Sequence, residues 1–199
     1  MQRIGVMGAS FNPPTRGHAS VISQAYPEFD EILLVPSVLH AFQKKLIPIS
    51  HRLAMLQLFI EHELKDNEKK HVTILNIEPT LLTSHPERPF VYTFDVLSAI
   101  EQEYQRKSQP VSLRFIVGPD LAEKSVWQRF YRYQEIEQRW PLYVVAKQKA
   151  INSTMVRELI RNALEEKMNK EKLVEWVGEP IATYILHHGL YRENEVQND

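Results

Sequence analysis

A glycine-containing segment, Gly8–His18, lies between a short apolar run and a stretch with helical spacing near the start of the chain. The apolar run, Ile4–Met7, predicts a first β-strand, and the apolar residues of Ala19–Tyr26 suit one face of a helix. In such a unit the free N–H groups and the positive dipole end of the helix face the loop, where an anion can bind. Gly8 is predicted to let the backbone turn tightly and come close to a ligand, and His18 offers a ring N–H to a phosphate. The segment therefore predicts an α/β fold with an anion site at its first helix.

This segment differs from two better-known phosphate-binding sequences. It has no Gly-Lys-Ser/Thr, which a Walker A loop requires, and no Gly-x-Gly-x-x-Gly, which a dinucleotide-binding turn requires. His18 consequently has two interpretations: a helix-start histidine bonded to a local carbonyl, or a phosphate ligand. The strand before it and the helix after it favour the phosphate ligand.

Five short runs of apolar or β-branched residues predict strands, and patterns with helical spacing separate them. The predicted strands are Arg3–Met7, Glu31–Pro36, Val72–Ile77, Ser112–Val117 and Leu142–Ala146. This alternation predicts an α/β protein with a doubly wound parallel sheet and a small C-terminal helical part, at about residues 151–192. Ligands of such sheets bind beyond the carboxyl ends of the strands, so we expect the site in the loops there.

Composition and charge exclude several classes of protein. The 199 residues include no cysteine, which excludes disulfides and thiolate metal sites, and the formal net charge of -1 favours neither nucleic acid nor an anionic membrane as a partner. No apolar run approaches the roughly 20 residues of a membrane-spanning helix, and the first strand begins too early for a signal peptide. We expect a cytoplasmic protein with a single domain over residues 1–192 and a disordered tail over residues 193–199.

Two stretches before the fourth strand contain further candidates. Lys44 and Lys45 lie in a long loop after the second strand, where they either reach an anion or form a solvated pair. The stretch Glu78–Val91 contains three prolines and is predicted to be a loop. Thr93 is predicted to cap the helix that follows, with Asp95 in its first turn, which is a structural role. The alternative is that these polar groups face a substrate pocket.

The turn after the fourth strand contains Gly118 and Asp120. Asp120 either binds ribose hydroxyls, as acidic residues do in other doubly wound folds, or closes a turn. Trp127 belongs to a group of aromatic residues that core packing explains, although one aromatic ring could stack on a heterocycle.

A second helix start, at Ser153 or Thr154, is the other strong feature of the sequence. Either hydroxyl is predicted to cap this helix, whose free N–H groups then face the loop after Ala146. Arg157 projects from the first turns. Because an arginine there does little for the helix dipole, an anionic partner explains it better than a surface position does.

The two helix starts together resemble the signatures of the nucleotidyltransferase superfamily. Thr15-Arg16-Gly17-His18 resembles (His/Thr)-x-Gly-His, and the segment 153–157 resembles the later Ile-Ser-x-x-x-x-Arg motif. The chain is also similar, over nearly its whole length, to the bacterial nicotinate-nucleotide adenylyltransferases. The matching segments are Tyr92-Thr93-Phe94-Asp95, Gly118 and Asp120 followed by Trp127, Lys44 or Lys45 before Ser50-His51-Arg52, and Tyr184-Ile185 with Leu190-Tyr191.

The resemblance implies a Rossmann-like nucleotidyltransferase fold and transfer of the adenylyl group of ATP to nicotinate or nicotinamide mononucleotide, in NAD biosynthesis. It implies Mg²⁺ carried by ATP, with no separate metal ligands, and catalytic roles for His18 and Thr15. The implied ATP-binding residues are Gly8, Ser10, Phe11, Gly17, His18, Gly118, Asp120, Ser153, Thr154 and Arg157. The implied mononucleotide-binding residues are Lys44, Lys45, Tyr92, Thr93, Asp95 and Trp127.

Three features depart from the commoner pattern. Thr15 replaces a histidine, Ala9 and Asn12 replace a glycine and an aspartate, and the stretch between Asp120 and Trp127 is about one residue shorter. Two alternatives stay open. Pantetheine-phosphate adenylyltransferase shares Thr-x-Gly-His but usually has lysine where Arg157 stands, and a nucleotide-binding module could keep the fold without turnover. The sequence also leaves open the choice between nicotinate and nicotinamide, and whether the chain forms a homo-oligomer.

Overall fold

The computed structural model describes residues 1–39, 46–84, 87, 90–146, 150–162 and 169–192. Within them, five strands form one parallel sheet in the order β3-β2-β1-β4-β5. The strands are β1 (Gln2–Ala9), β2 (Glu31–Pro36), β3 (Val72–Ile74), β4 (Val111–Val117) and β5 (Leu142–Val144). β1 lies at the centre, β2 and β3 follow on one side of it, and β4 and β5 follow on the other side. This order confirms the doubly wound α/β fold.

The first strand is longer than its sequence pattern predicts. It continues to Ala9, and Gly8 pairs with Val35 of β2. Gly8 therefore belongs to the strand, and the prediction that it makes a tight turn is wrong. A Cβ atom there would come no closer than 3.6 Å to the Phe115 ring, which is an ordinary contact. The backbone thus reaches the carboxyl end of the sheet as a regular strand, without a turn at Gly8.

Helices cover both faces of the sheet. Within the described residues the helices are α1 (Arg16–Ala25), α2 (Ile49–Glu63), α3 (Asp66–Lys69), α4 (Glu78–Ser84), α5 (Thr93–Arg106), α6 (Pro119–Ala122), α7 (Lys124–Trp127), α8 (Tyr133–Arg139), α9 (Ser153–Asn162), α10 (Lys170–Val177) and α11 (Glu179–His187), with a 3₁₀ turn at Tyr26–Glu28. α4 lies inside the stretch predicted as a loop, so that prediction is wrong. Its proline, Pro79, occupies the first turn, where the missing N–H costs no hydrogen bond.

Alternate residues of the central strands enter two separate hydrophobic cores. In β2, Ile32 and Leu34 face the first core, whereas Leu33 and Val35 face the second. Helices α1, α2, α9, α10 and α11 contribute to the first core, and α5 and α8 contribute to the second. Burying both faces of a parallel sheet in this way explains why its strands read as continuous apolar runs.

The C-terminal helices share the core of α1 and α2, through residues such as Val156, Leu173 and Ile181. The assignment of residues 1–192 to one domain stays a prediction, which this shared core favours. The predicted disordered tail, residues 193–199, lies outside the described residues. In the part of the chain that the structure describes, no helix is both long enough and apolar enough to cross a membrane.

Candidate active site

A cavity of about 340 Å³ lies beyond the carboxyl ends of β1 and β4, between the N-terminal ends of α1 and α9. This is the point at which the strand order reverses, where doubly wound sheets bind their ligands. Every residue predicted to bind ATP lines this cavity, with the exception of Phe11. Those residues are Gly8, Ser10, Gly17, His18, Gly118, Asp120, Ser153, Thr154 and Arg157. The two helix starts that the sequence analysis singled out therefore meet at one cavity.

The imidazole of His18 forms part of the cavity wall and is oriented by Thr15. The Thr15 backbone N–H donates to His18 Nδ1 at 3.0 Å, and the Thr15 hydroxyl lies 3.0 Å from the same atom. A backbone N–H can only donate, so Nδ1 is an acceptor and the ring proton resides on Nε2. Burial lowers the pKa of His18 to about 4. The ring is therefore a neutral donor at physiological pH.

Thr15, predicted to take part in catalysis, and Phe11, predicted to bind ATP, lie behind the imidazole and do not line the cavity. Thr15 is fully buried as the N-cap residue of α1. Phe11 is also fully buried, with its ring centroid 5.1 Å from that of His18. The Phe11 backbone has a φ of 45°, which is unusual for an aromatic residue and turns the chain out of the strand. Both residues are thus placed to hold the ring rather than a nucleotide.

A pH titration of His18 by NMR is expected to give a midpoint near 4, because charging the ring would place an ion in the wall of the cavity. The ring signal can be assigned by its disappearance in His18→Gln. A midpoint at or above about 6.5, the value of an exposed imidazole, would contradict the neutral donor.

The second helix start is capped by Asn152, and not by Ser153 or Thr154 as predicted. The Asn152 Oδ1 atom accepts the backbone N–H of Met155 at 3.0 Å. The Ser153 hydroxyl instead donates to the carbonyl oxygen of Pro13 at 2.8 Å, which joins α9 to the loop before α1. Asparagine is as good a cap as serine, so the sequence alone could not choose between neighbouring candidates.

Gly17 explains how closely these two helix starts approach. A Cβ atom at Gly17 would lie 2.0 Å from the carbonyl oxygen of Ile151, well inside any real contact. Only glycine permits the backbone before α9 to lie against the first turn of α1. The requirement for glycine at this position of the motif therefore comes from packing of the chain against itself.

Arg157 extends along the same loop from the first turns of α9. Its Nη1 atom donates to the carbonyl oxygen of Asn12 at 2.8 Å, and its Nη2 atom to the Thr154 hydroxyl at 3.1 Å. These bonds use two of the five N–H groups of a guanidinium. Partial burial lowers its pKa, but an arginine stays charged at any physiological pH. The side chain is thus a fixed positive charge beside the cavity.

Gly118 and Asp120 line the cavity at the end of β4. Gly118 is the N-cap residue of the short helix α6, and a Cβ atom added to it would meet nothing within 4 Å. Asp120 lies in the first turn of α6 and is exposed. The backbone here is open towards the cavity, where a bulky group of a ligand can approach it.

Of the residues predicted to bind the mononucleotide, the four that the structure describes, Tyr92, Thr93, Asp95 and Trp127, do not line this cavity. Trp127 is 3% exposed, and its Nε1–H donates to Glu137 Oε1 at 2.8 Å, so its ring is occupied in the second core. Asp95 Oδ2 accepts the backbone N–H of Tyr92 at 3.2 Å. Tyr92, and not Thr93 as predicted, is the N-cap residue of α5, and Asp95 has a structural role in the first turn. Lys44 and Lys45 lie outside the described residues.

Sequence reasoning missed a buried arginine that supports the site. Arg52 is 1% exposed and donates to the carbonyl oxygens of Ser10 at 2.8 Å and Ser37 at 2.6 Å. It thereby ties together the segments that follow β1 and β2. Nearby, Glu78 Oε2 accepts the backbone N–H of Val38 at 2.7 Å, and burial raises the pKa of this carboxyl to about 7. A helical arginine usually faces solvent, so the pattern gave no signal for this role.

Asn12 is the second residue of the site whose role the sequence did not reveal. It lines the cavity, and its side chain is 1% exposed. Its carbonyl oxygen accepts from Arg157, and its Oδ1 atom accepts from the Tyr191 hydroxyl at 3.1 Å. These partners lie more than a hundred residues away in the chain, and local patterns cannot predict such contacts.

Comparisons with known proteins agree with this geometry. A family model described as cytidylyltransferase-like matches residues 6–159, a segment that contains both helix starts. The nicotinate-nucleotide adenylyltransferase of Bacillus subtilis is 24% identical, over 96% of this chain and 99% of its own. A probable nicotinate-nucleotide adenylyltransferase of Enterococcus faecalis is 27% identical, over 96% of this chain and 86% of its own. A solved structure from Vibrio parahaemolyticus, provisionally described as a nicotinate-nucleotide adenylyltransferase, is similar with a TM-score of 0.71 and 28% identity, over 98% of each chain.

Proposed function

Because the chain belongs to the cytidylyltransferase-like family, we propose that it transfers the adenylyl group of ATP to nicotinate or nicotinamide mononucleotide, as a step of NAD biosynthesis. The observation that carries this proposal is the cavity that His18 and Arg157 share at the switch point of the sheet. The relatives described as nicotinate-nucleotide adenylyltransferases, which match nearly the whole chain, support the choice of acceptor.

In the proposed reaction, a 5′-phosphate oxygen of the mononucleotide attacks the α-phosphorus of ATP. A bond forms between these two atoms, the bond from the α-phosphorus to the bridging oxygen breaks, and pyrophosphate leaves with the electron pair. The attacking phosphate is already an anion, so the reaction needs neither a covalent enzyme intermediate nor a strong base. The task of the protein is to align two polyanions and to stabilise the charge that develops on the α-phosphoryl oxygens and the leaving group.

His18 is proposed to donate a hydrogen bond from Nε2 to an α-phosphoryl oxygen. Its role is that of a fixed dipole, because the lowered pKa keeps the ring neutral, and Thr15 keeps Nδ1 occupied. A donor held in place before the reaction stabilises developing charge without reorganising at the transition state. Thr15 is therefore proposed to act on catalysis through the orientation of His18.

Arg157 and the N-terminal end of α9 are proposed to hold the β- and γ-phosphates. The helix is ten residues long, so its first N–H groups and its dipole favour an anion. The guanidinium adds a full charge. Gly118 and Asp120 are proposed to face the adenosine ribose, and Lys44 and Lys45 stay as predicted contacts of the mononucleotide.

We propose that Mg²⁺ enters the site with ATP and that phosphate oxygens are its main ligands. In the part of the chain that the structure describes, no group of three or more histidine or acidic side chains is placed to hold a metal ion. Phosphate oxygens and water suit Mg²⁺, a hard cation that keeps several of its waters and binds through substrate phosphates. Such an ion would reduce the charge of the triphosphate.

A pyrophosphate-release assay tests the function directly. Wild-type protein is incubated with ATP and Mg²⁺ and with nicotinate mononucleotide, nicotinamide mononucleotide or 4′-phosphopantetheine in turn. We expect release with a pyridine mononucleotide. Release with phosphopantetheine alone would replace the proposed acceptor, and ATP binding without release in any of the three assays would favour a module without turnover.

Replacing Arg157 with alanine is expected to raise the KM for ATP by about tenfold or more, because one to two charge-assisted hydrogen bonds to the triphosphate are lost. The KM for the mononucleotide is expected to change little. Each substrate is titrated with the other at saturation. Arg161→Ala, on an exposed position of the same helix, is the matched control. An unchanged ATP KM in Arg157→Ala would contradict the assigned contact.

A further inference from the structure

Tyr191 connects the C-terminal end of the described chain to the loop between β1 and α1. Its hydroxyl lies 3.1 Å from Asn12 Oδ1, across 179 positions of the sequence, and both side chains are buried. The Tyr191 backbone has a φ of 67°, a left-handed conformation that a non-glycine residue adopts only when other contacts compensate for its cost. The tertiary contacts of the ring and the hydroxyl therefore hold this residue in place.

The direction of the hydrogen bond follows from its neighbours. Asn12 Oδ1 also lies 3.4 Å from the backbone N–H of Ile47, which can only donate. The oxygen of the amide therefore faces both groups, and the tyrosine is the donor. Burial raises the pKa of the Tyr191 phenol well above its ordinary value, so the donor proton is present throughout the physiological range.

Asn12 also contacts the arginine of the site, Arg157. Its carbonyl oxygen accepts the hydrogen bond of Arg157 Nη1 at 2.8 Å. The hydroxyl of Tyr191 fixes the side chain of Asn12, and the carbonyl of the same residue fixes the guanidinium. Tyr191 itself does not line the cavity, whereas Asn12 and Arg157 do.

We infer that Tyr191 is a positioning residue for the triphosphate site, acting through Asn12 on the orientation of Arg157. The inference rests on the proposed function only in naming ATP as the anion that Arg157 holds. Without the hydroxyl, the buried Oδ1 atom of Asn12 loses a donor and the loop relaxes. The guanidinium is then less well ordered before ATP binds. Part of the binding free energy is used to order it, so the affinity for ATP falls.

The test compares Tyr191→Phe with wild type. This substitution removes the hydroxyl and keeps the ring, so the protein is expected to fold. The ATP KM and the calorimetric Kd for ATP are expected to rise about threefold to tenfold, the range for one neutral hydrogen bond. The mononucleotide KM is expected to stay within about twofold of wild type, since a contact made only to ATP changes only its binding.

Tyr104→Phe is the matched control. It also removes a hydroxyl hydrogen bond, from Tyr104 to Glu31 Oε2 at 3.2 Å, but this bond lies on helix α5, away from the cavity. We expect a similar change in the melting temperature and no change in the ATP KM. An equal rise of the ATP KM in both variants would mean a general loss of stability and would overturn the inference.

A double variant separates positioning from a merely structural role. If Tyr191 acts through Arg157, adding Tyr191→Phe to Arg157→Ala should raise the Kd for ATP no further. A further rise equal to that in the wild-type background would overturn the inference, as would a wild-type Kd in Tyr191→Phe alone. Failure of wild-type protein to release pyrophosphate would reject the proposed function and leave the calorimetric test of Tyr191 intact.

Discussion

Replacing His18 with alanine is expected to lower kcat by about 100-fold or more, with a small effect on the Kd for ATP. The expected loss is that of one preorganised hydrogen-bond donor to charge that develops in the transition state. Burial lowers the pKa of His18 and keeps the ring neutral in the free protein, so we assign the effect to the Nε2 donor. Pyrophosphate release under saturating substrates measures kcat, and calorimetry measures the Kd for ATP.

His62→Ala is the control for this experiment, because the His62 side chain is 43% exposed on α2 and lies outside the cavity. Thermal unfolding is followed in parallel, since His18→Ala also leaves the buried N–H of Thr15 without its acceptor. A kcat within about threefold of wild type in a folded variant would reject the catalytic role of His18, because a lost donor of this kind costs far more.

Replacing Gly17 with alanine is expected to have the second large effect. The added methyl group would lie 2.0 Å from the carbonyl oxygen of Ile151, which belongs to the backbone. A Cβ atom is fixed by its own backbone, so no side-chain rotation relieves this contact. The segment before α9 must therefore move away, and Arg157 moves with it. We expect the Kd for ATP to rise at least tenfold and the free energy of unfolding to fall by about 1–3 kcal/mol, as in other overpacked sites.

Gly118→Ala provides the contrast to Gly17→Ala. The added Cβ atom would meet nothing within 4 Å, so the free energy of unfolding should stay within about 1 kcal/mol of that of wild type. Calorimetry and denaturant unfolding on both variants make the comparison. Wild-type stability and ATP binding in Gly17→Ala would contradict the close approach of the two helix starts.

Much of the fold could be predicted because local patterns determine it. Apolar runs that are buried on both faces, such as Glu31–Pro36, read directly as strands of a parallel sheet. The two helix starts could be found because phosphate-binding geometry requires a loop, a cap and a charged or polar side chain in a short space. The resemblance to nucleotidyltransferases then related two segments that no local rule could connect.

The predictions that were wrong concern choices that tertiary contacts decide. Helix α4 was missed because the three prolines of Glu78–Val91 favoured a loop, although Pro79 is tolerated in a first turn. Asn152 was passed over as a cap because its neighbours were equally suited. Tyr92 was passed over because a tyrosine side chain is a poor cap, whereas threonine is a good one. The aromatic spacing around Trp127 favoured core packing, and its ring is buried in the second core, whereas its contact with the mononucleotide stays a prediction.

The central claim is that two distant helix starts hold the phosphates of one ATP molecule between a neutral imidazole and a guanidinium. A crystal structure of the protein with a non-hydrolysable ATP analogue tests it most directly. We predict an α-phosphoryl oxygen within hydrogen-bonding distance of His18 Nε2 and the β- or γ-phosphate beside Arg157, in the same cavity. Phosphates bound elsewhere, or in contact with only one of the two side chains, would contradict the account.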